Sequence, residues 1–274
     1  MMDLFQKEIK TIAVERIANT VHGMKNFHYH DSYEIYYLVK GNRNYVIGDD
    51  YFSINKGDMV LIKPGVLHKT AGRAYDRILL NFTPKYLNRF FSEEALSVLL
   101  RCFDETVISI PSELRPEFLA LFEKIMLLLE DGKEEETFIY LTELLNKIYI
   151  VSRQAKAGEN KKSYDDKTIT KILHYINEKY SDIENISQIA DEFFITKYHL
   201  CRIFKNATNT SIIEYLNRIK IKKACFLLET TDKTITEICV LCGFNSSVYF
   251  CKLFKKLMNI TPTEYRKSFA KQTK

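Results

Sequence analysis

The chain has 274 residues, of which 46% are hydrophobic, with six cysteines and a formal net charge of +5. This length suits two domains with cores of their own. A run of about twenty apolar residues that could cross a membrane is absent, and the charged first ten residues exclude a signal-peptide core. A cytoplasmic protein with free thiols is therefore expected.

Residues 10 to about 82 read as β structure. Runs such as Tyr33–Val39 and Met59–Ile62 are rich in β-branched and aromatic residues. Turn signals separate them at Lys40-Gly41-Asn42, Gly48-Asp49-Asp50, Lys56-Gly57-Asp58 and Pro64-Gly65. Short strands at this spacing predict a sandwich or barrel of jelly-roll type.

From Pro84 the pattern becomes helical, interrupted by a strand-like piece, Thr106–Ile110. Two amphipathic helices follow. One carries Phe118, Phe122, Ile125, Met126 and Leu129, and the other Phe138, Leu141, Leu145, Ile148 and Tyr149. These stripes suit either a cover for the β domain or a dimer interface. Residues 154–167 are polar and aperiodic and read as a linker between a first domain, 1–153, and a second, 168–274.

The second domain is all helical, with Gly243 its only glycine and Pro262 its only proline. Charge divides at the same place. Residues 167–274 hold 18 Lys+Arg against 10 Asp+Glu, whereas residues 1–166 hold 22 against 25. One basic domain beside a mildly acidic one points to nucleic acid.

A repeat sharpens this. Leu200-Cys201-Arg202-Ile203-Phe204-Lys205 returns as Phe250-Cys251-Lys252-Leu253-Phe254-Lys255. Each copy follows a short helix and a turn: Ile186–Ala190 then Phe194-Ile195-Thr196, and Ile235–Cys242 then Gly243-Phe244-Asn245. This is the helix-turn-helix pattern, whose second helix enters the DNA major groove. A long helix over 211–228 joins the copies, and side-by-side insertion needs reading helices about 34 Å apart.

With these landmarks, Ile186 to Lys267 resembles the DNA-binding domain of the AraC/XylS family of bacterial transcription regulators. Ile189-Ala190, Gly243-Phe244, Tyr249-Phe250, Thr261-Pro262 and Tyr265-Arg266 carry the likeness, over about a third of the chain. Three positions depart from the family pattern: Phe194, Asn209 and Asn259 stand where glycine is usual. Asparagine tolerates the left-handed backbone; Phe194 strains it. The resemblance implies that Tyr198, Cys201 and Arg202 face bases in one groove and Ser247, Val248, Cys251 and Lys252 in the next. Lys197, Lys205, Ser246 and Lys255 suit phosphates. Arg202 can pair bidentately with guanine, whereas the cysteines are poor readers, so DNA shape should contribute.

The first domain resembles a cupin. Gly23, His28, His30, Glu34 and Gly41 are followed by Gly57, Pro64, Gly65 and His68 in a spacing like that of the two cupin motifs, except that Gly23 stands one residue closer to His28 than usual. His28, His30 and Glu34 share strand parity with Tyr36, so all four can face a barrel interior. His68 can join them from a neighbouring strand. His28, His30, Glu34, Tyr36 and His68 are the candidate ligand site. His28, His30, Glu34 and His68 could also hold a divalent metal, although no cofactor is required. Cys239-x-x-Cys242 is read as packing, since zinc needs four ligands.

The expected protein is a two-domain α+β, non-enzymatic regulator, an activator by family habit. Its cupin-like barrel with appended helices would sense a small molecule, possibly a sugar. Its all-α domain of two helix-turn-helix units joined by a long helix would bind promoter DNA. A homodimer and contact with RNA polymerase follow from the resemblance, and no membrane is involved. The effector's bias is expected to pass through the linker and helices 112–153. The alternative is a metal-dependent cupin enzyme fused to a nucleic-acid-binding module.

Overall fold

Turn chemistry cuts the first half of the chain into strands, and alternation within each strand decides what each face meets. The computed structural model describes residues 11–20, 27–72, 74–155 and 164–270. Eight strands form: β1 (Ile12–Thr20), β2 (Tyr33–Lys40), β3 (Asn42–Ile47), β4 (Asp50–Asn55), β5 (Asp58–Ile62), β6 (His68–Gly72), β7 (Tyr75–Phe82) and β8 (Val107–Ser109). The four expected turns fall between successive strands from β2 to β6. One sheet has the order β1-β7-β2-β5-β8 and the other β4-β3-β6. The pairings given for both are antiparallel.

Side chains of even number on β2 and odd number on β3 point between the sheets. There Tyr36, Leu38, Val60, Ile62 and Leu79 meet Tyr45, Ile47 and Ile54 in one core. Opposite parity turns Ile35, Tyr37, Leu61, Ile78 and Leu80 to the outer face of the five-stranded sheet. That face is covered by helices. After α1 (Pro84–Leu87) and α2 (Glu93–Leu99) come α3 (Arg115–Glu130) and α4 (Thr137–Ala155). Phe118, Phe122, Ile125, Leu141, Leu145 and Ile148 of the last two are buried on the sheet. The apolar stripes are therefore largely consumed within the chain. Met126 and Leu129 are half buried, at the edge of the packed face.

The outer face of the three-stranded sheet meets the second domain. This domain comprises α5 (Tyr164–Lys179), α6 (Ile186–Glu192), α7 (Lys197–Thr208), α8 (Ile212–Thr230), α9 (Ile235–Leu241), α10 (Ser247–Met258) and α11 (Pro262–Ala270). Phe27, Val46, Tyr51 and Leu67 belong to the same apolar core as Ile172, Leu200, Phe204, Tyr215 and Phe250. Most of the expected linker, residues 156–163, lies outside the described residues. At its ends α4 continues to Ala155 and α5 begins at Tyr164.

The contact between domains thus runs through the sheet itself rather than through α3 and α4. Polar groups fasten it. Lys69 Nζ donates to Asn209 O at 2.9 Å, Arg218 Nη1 to Phe27 O at 3.3 Å, and Tyr215 Oη to Gly48 O at 3.4 Å. His174 Nε2 lies 3.6 Å from Asp50 Oδ1. These fasteners could not be read in advance, because the second sheet's outward residues look like ordinary surface until a partner is known.

Candidate functional site

Each helix-turn-helix is built by the same local chemistry. α6 is opened by an Asn185–Gln188 capping box and α9 by a Thr234–Glu237 one. Both end in a Schellman motif. In the first, Phe194 N donates to Asp191 O and Ile195 N to Ala190 O; in the second, Gly243 N donates to Val240 O and Phe244 N to Cys239 O. Phe194 takes the left-handed conformation, φ 53°, and Gly243 φ 71°. The reading helices then start at the caps Thr196 and Ser246 and stop at left-handed Asn209 and Asn259. Asparagine fills the glycine role there, as its local side-chain hydrogen bonding allows.

Burial divides α7 and α10 into inner and outer faces. Leu200 and Phe204, and Phe250, Phe254 and Leu257, are buried; Ile203 and Leu253 are half buried. Tyr198, Arg202 and Lys205 on α7 are exposed, with Lys197 beside them, as are Ser247, Val248, Lys252 and Lys255 on α10. These are the expected base and phosphate contacts, and they share the solvent face. Ser246 uses its hydroxyl oxygen to cap Tyr249 N, which leaves its proton to donate to a phosphate. Cys201 and Cys251 are half buried against the core, at the margin of the reading face. Arg202 Nη2 lies 3.2 Å from His199 Nδ1, a contact that holds the guanidinium along the helix. Cys239 and Cys242 are buried in the core, and Cys239 Sγ donates to Phe244 O.

A second site lies between the sheets. The shared parity of His28, His30 and Glu34 does not come from one strand: the chain bends at Asp31–Ser32, and β2 begins only at Tyr33. His28 instead forms an isolated antiparallel bridge with His68, with His28 N to His68 O at 3.1 Å and His68 N to His28 O at 2.9 Å. The candidates still converge. Ring centroids of His28 and His68 are 4.2 Å apart, and those of His30 and His68 5.1 Å. Glu34 Oε2 is 3.0 Å from His30 Nε2 and 3.8 Å from His68 Nε2.

The electrostatics follow from this geometry. Burial opposes the Glu34 charge, but the His30 hydrogen bond and the neighbouring imidazoles outweigh it and hold the carboxyl at about 2. Burial also lowers His30, yet the Glu34 hydrogen bond and charge carry it above the usual histidine value. Burial keeps His68 below that value. Glu34 is thus held as a carboxylate, with the proton affinity of His30 raised and that of His68 lowered beside it.

Tyr36, the fifth expected ligand residue, is buried against Tyr45 at a centroid distance of 5.2 Å, with Arg77 over its ring. Strand parity brings Arg77 and Asn81 of β7 to the same interior, where sequence reasoning did not place them. Their register partners Leu38 and Glu34 were the available signal. The Tyr36 and Tyr45 hydroxyls, Arg77 Nη1, Asn81 Oδ1, Glu34 Oε1 and His68 Nε2 are buried without a hydrogen-bond partner among the described residues. Buried polar atoms are ordinarily paired, and six unpaired ones on this one interior set it apart from the rest of the β domain.

Comparison with known proteins agrees with both halves. Residues 11–145 match the family described as AraC-like ligand binding domain, and residues 189–268 match a helix-turn-helix domain. The chain is 26% identical over 257 residues to the HTH-type transcriptional activator RhaR of Mannheimia succiniciproducens, covering 89% of this chain and 88% of that one. It is 25% identical over 244 residues to the HTH-type transcriptional activator RhaS of Escherichia coli O1:K1 / APEC, covering 87% and 86%. It is 23% identical over 267 residues to the HTH-type transcriptional regulator YdeC of Bacillus subtilis, covering 92% and 89%. With both halves matched to regulator domains, the enzyme alternative is set aside. The chain belongs to the AraC family of transcription regulators, DNA-binding proteins that join a ligand-binding domain to a helix-turn-helix domain.

Proposed function

We propose that the protein is a cytoplasmic transcription activator whose β domain senses a small, hydroxyl-rich metabolite such as a sugar. The observation that carries this reading is the set of six buried, unpartnered polar atoms between the sheets. They combine donors (tyrosine hydroxyls and Arg77) with acceptors (Glu34, Asn81 and the His68 ring nitrogen), which is the mixture a polyol satisfies. His28, His30, Glu34, Tyr36 and His68 form one end of this site. The names of two relatives, both activators, support the direction of regulation.

The active species in this reading is a homodimer that contacts promoter DNA and RNA polymerase. Exposed Ile139 and Ile150 on α4 support the dimer. Eleven residues apart, they project from nearly the same helical face. No described helix is long and apolar enough to cross a membrane.

Selection of the preferred DNA sequence, followed by a metabolite screen for changed affinity, tests the reading. A polyol that shifts DNA affinity is the expected result. DNA binding that no metabolite alters would reject the sensor. Affinity should also fall steeply with salt as counterions are released, and a flat dependence would reject the DNA surface.

A further inference from the structure

The two helix-turn-helix units are separated by a space that apolar packing does not close. A cleft of about 440 Å³ lies between them. The first unit lines it with Ile186 and Lys197, the second with Phe244 and Tyr249, and the connector α8 with Leu216 and Lys220. At one edge the units abut, since a Cβ on Gly243 would meet Ser181 O at 2.2 Å.

Polar ties from the connector cross this space. Lys220 is only 5% exposed. Its Nζ donates at 2.7 Å to Gly243 O, in the turn of the second unit, and at 3.3 Å to Ile183 O, just before α6 opens the first. An ammonium carries three donors on one atom, so a single nitrogen holds both units. The face of the Phe244 ring lies 5.5 Å from it. Burial disfavours the charge and pulls this lysine below its usual value. Its hydrogen bonds go to backbone carbonyls rather than to a carboxylate. A buried charge is weak evidence for stability, whereas holding one arrangement against others is a better attested use.

Asn217 adds a second tie three residues earlier, on the same face of α8. Its Nδ2 donates to Tyr249 Oη at 3.1 Å, and Tyr249 lies in the first turn of α10. One face of the connector thus grips both the turn ahead of the second reading helix and the start of that helix.

We propose that Lys220 is a positioning residue that fixes the placement of the two reading helices relative to each other, and so the spacing of half-sites that the protein accepts. The starts of both helices, Lys197 and Ser246, border the same cleft, so loosening the grip lets one helix move against the other. DNA is unforgiving of a fixed spacing. One added base pair shifts a half-site by about 3.4 Å along the axis and turns it by about 35°. Heads held rigidly by one ammonium cannot follow that change.

The test uses the full chain and its selected DNA site, remade with the spacer between half-sites one base pair shorter or longer. Wild-type affinity should fall at least roughly tenfold on either change, as for a misplaced base contact. Lys220→Met, which keeps the length of the side chain and loses its donors, should cut that penalty to about threefold or less. Its base preference at the position read by Arg202 should be unchanged, which separates placement from folding of the reading helices. Lys220→Arg, which keeps donors for both carbonyls, should restore the wild-type penalty.

A methionine variant with the wild-type spacing penalty overturns the proposal. Loss of base preference together with spacing preference also overturns it, because Lys220 would then support the fold of the units rather than their placement. A wild-type chain indifferent to spacing leaves nothing for Lys220 to set and overturns it too. Should circular dichroism show the methionine variant unfolded, Lys220→Gln, with a donor group for one carbonyl but no charge, takes its place under the same outcomes.

Discussion

The two helix-turn-helix units share a turn and differ in what the turn touches. Both use a Schellman motif with its third-from-last residue and left-handed cap in register. In the second unit that cap is Gly243, and an added Cβ would meet Ser181 O at 2.2 Å. Lys220 reinforces this close approach by donating to both Gly243 O and Ile183 O. In the first unit the cap is Phe194, 96% exposed, with its side chain in solvent. The first unit is instead tied at its far end, where Lys69 holds Asn209 O. One reading helix is thus anchored inside its own domain and the other to the sensor. A repeat in sequence is not a repeat in mechanical connection.

Gly243→Ala should break the second anchor with the largest effect on stability. The backbone conformation and the Ser181 clash both oppose a side chain, so a loss of about 3 kcal/mol is expected by urea unfolding. A loss below about 1 kcal/mol would show that the turn can move away from Ser181.

Arg202→Ala probes the reading faces. It should cost roughly 1–3 kcal/mol at one base position, measured by competition with single-base variants of the selected site. Lys252→Ala, lacking a bidentate group to lose, should weaken binding more evenly across sequences and lower the salt slope by about one. Equal loss of base preference in the two variants would contradict the separate roles given to the arginine and the lysine.

The sequence-based reading reached these faces because helical periodicity separates Leu200 and Phe204 from Arg202 and Lys205 whatever the surroundings. Strand alternation did the same for Glu34 and Tyr36. His28 and His68 were found through their spacing, but their pairing was not, since a bridge between distant segments leaves no local pattern. Arg77 and Asn81 were missed because alternation alone cannot say which face of β7 is interior. Lys69, flanked by His68 and Thr70, reads as a surface lysine; only the docked domain shows it buried. The coupling of domains is the least legible feature because it depends on two surfaces that are each unremarkable alone.

Lys69 also gives the first unit a pH signature. Burial pulls its ammonium down to about 8, against the usual 10.5, despite the attraction of Glu214. Below that pH the folded chain carries the cost of a buried charge. Between about 8 and 10.5 the unfolded chain binds the proton and the folded chain does not, so stability rises with pH. Relative to Lys69→Met, the wild-type chain should gain up to about 1.4 kcal/mol per pH unit across that window. Parallel unfolding curves for the two proteins would show that Lys69 does not lose its proton in the folded state.

Phe194→Gly offers the smallest and most selective change. A bulky residue in the left-handed region costs about 1–2 kcal/mol, and glycine removes that strain. Glycine also gives the unfolded chain more freedom, which takes back about 0.5–1 kcal/mol. With Phe194 almost wholly exposed, little apolar burial is lost, so the net should be a gain of roughly 0.5–1 kcal/mol. Thermal unfolding of the variant measures it. A loss instead would mean that the phenyl ring contributes a contact which the exposed position does not reveal. The first turn would then be held in place by its side chain, as the second is by Ser181 and Lys220.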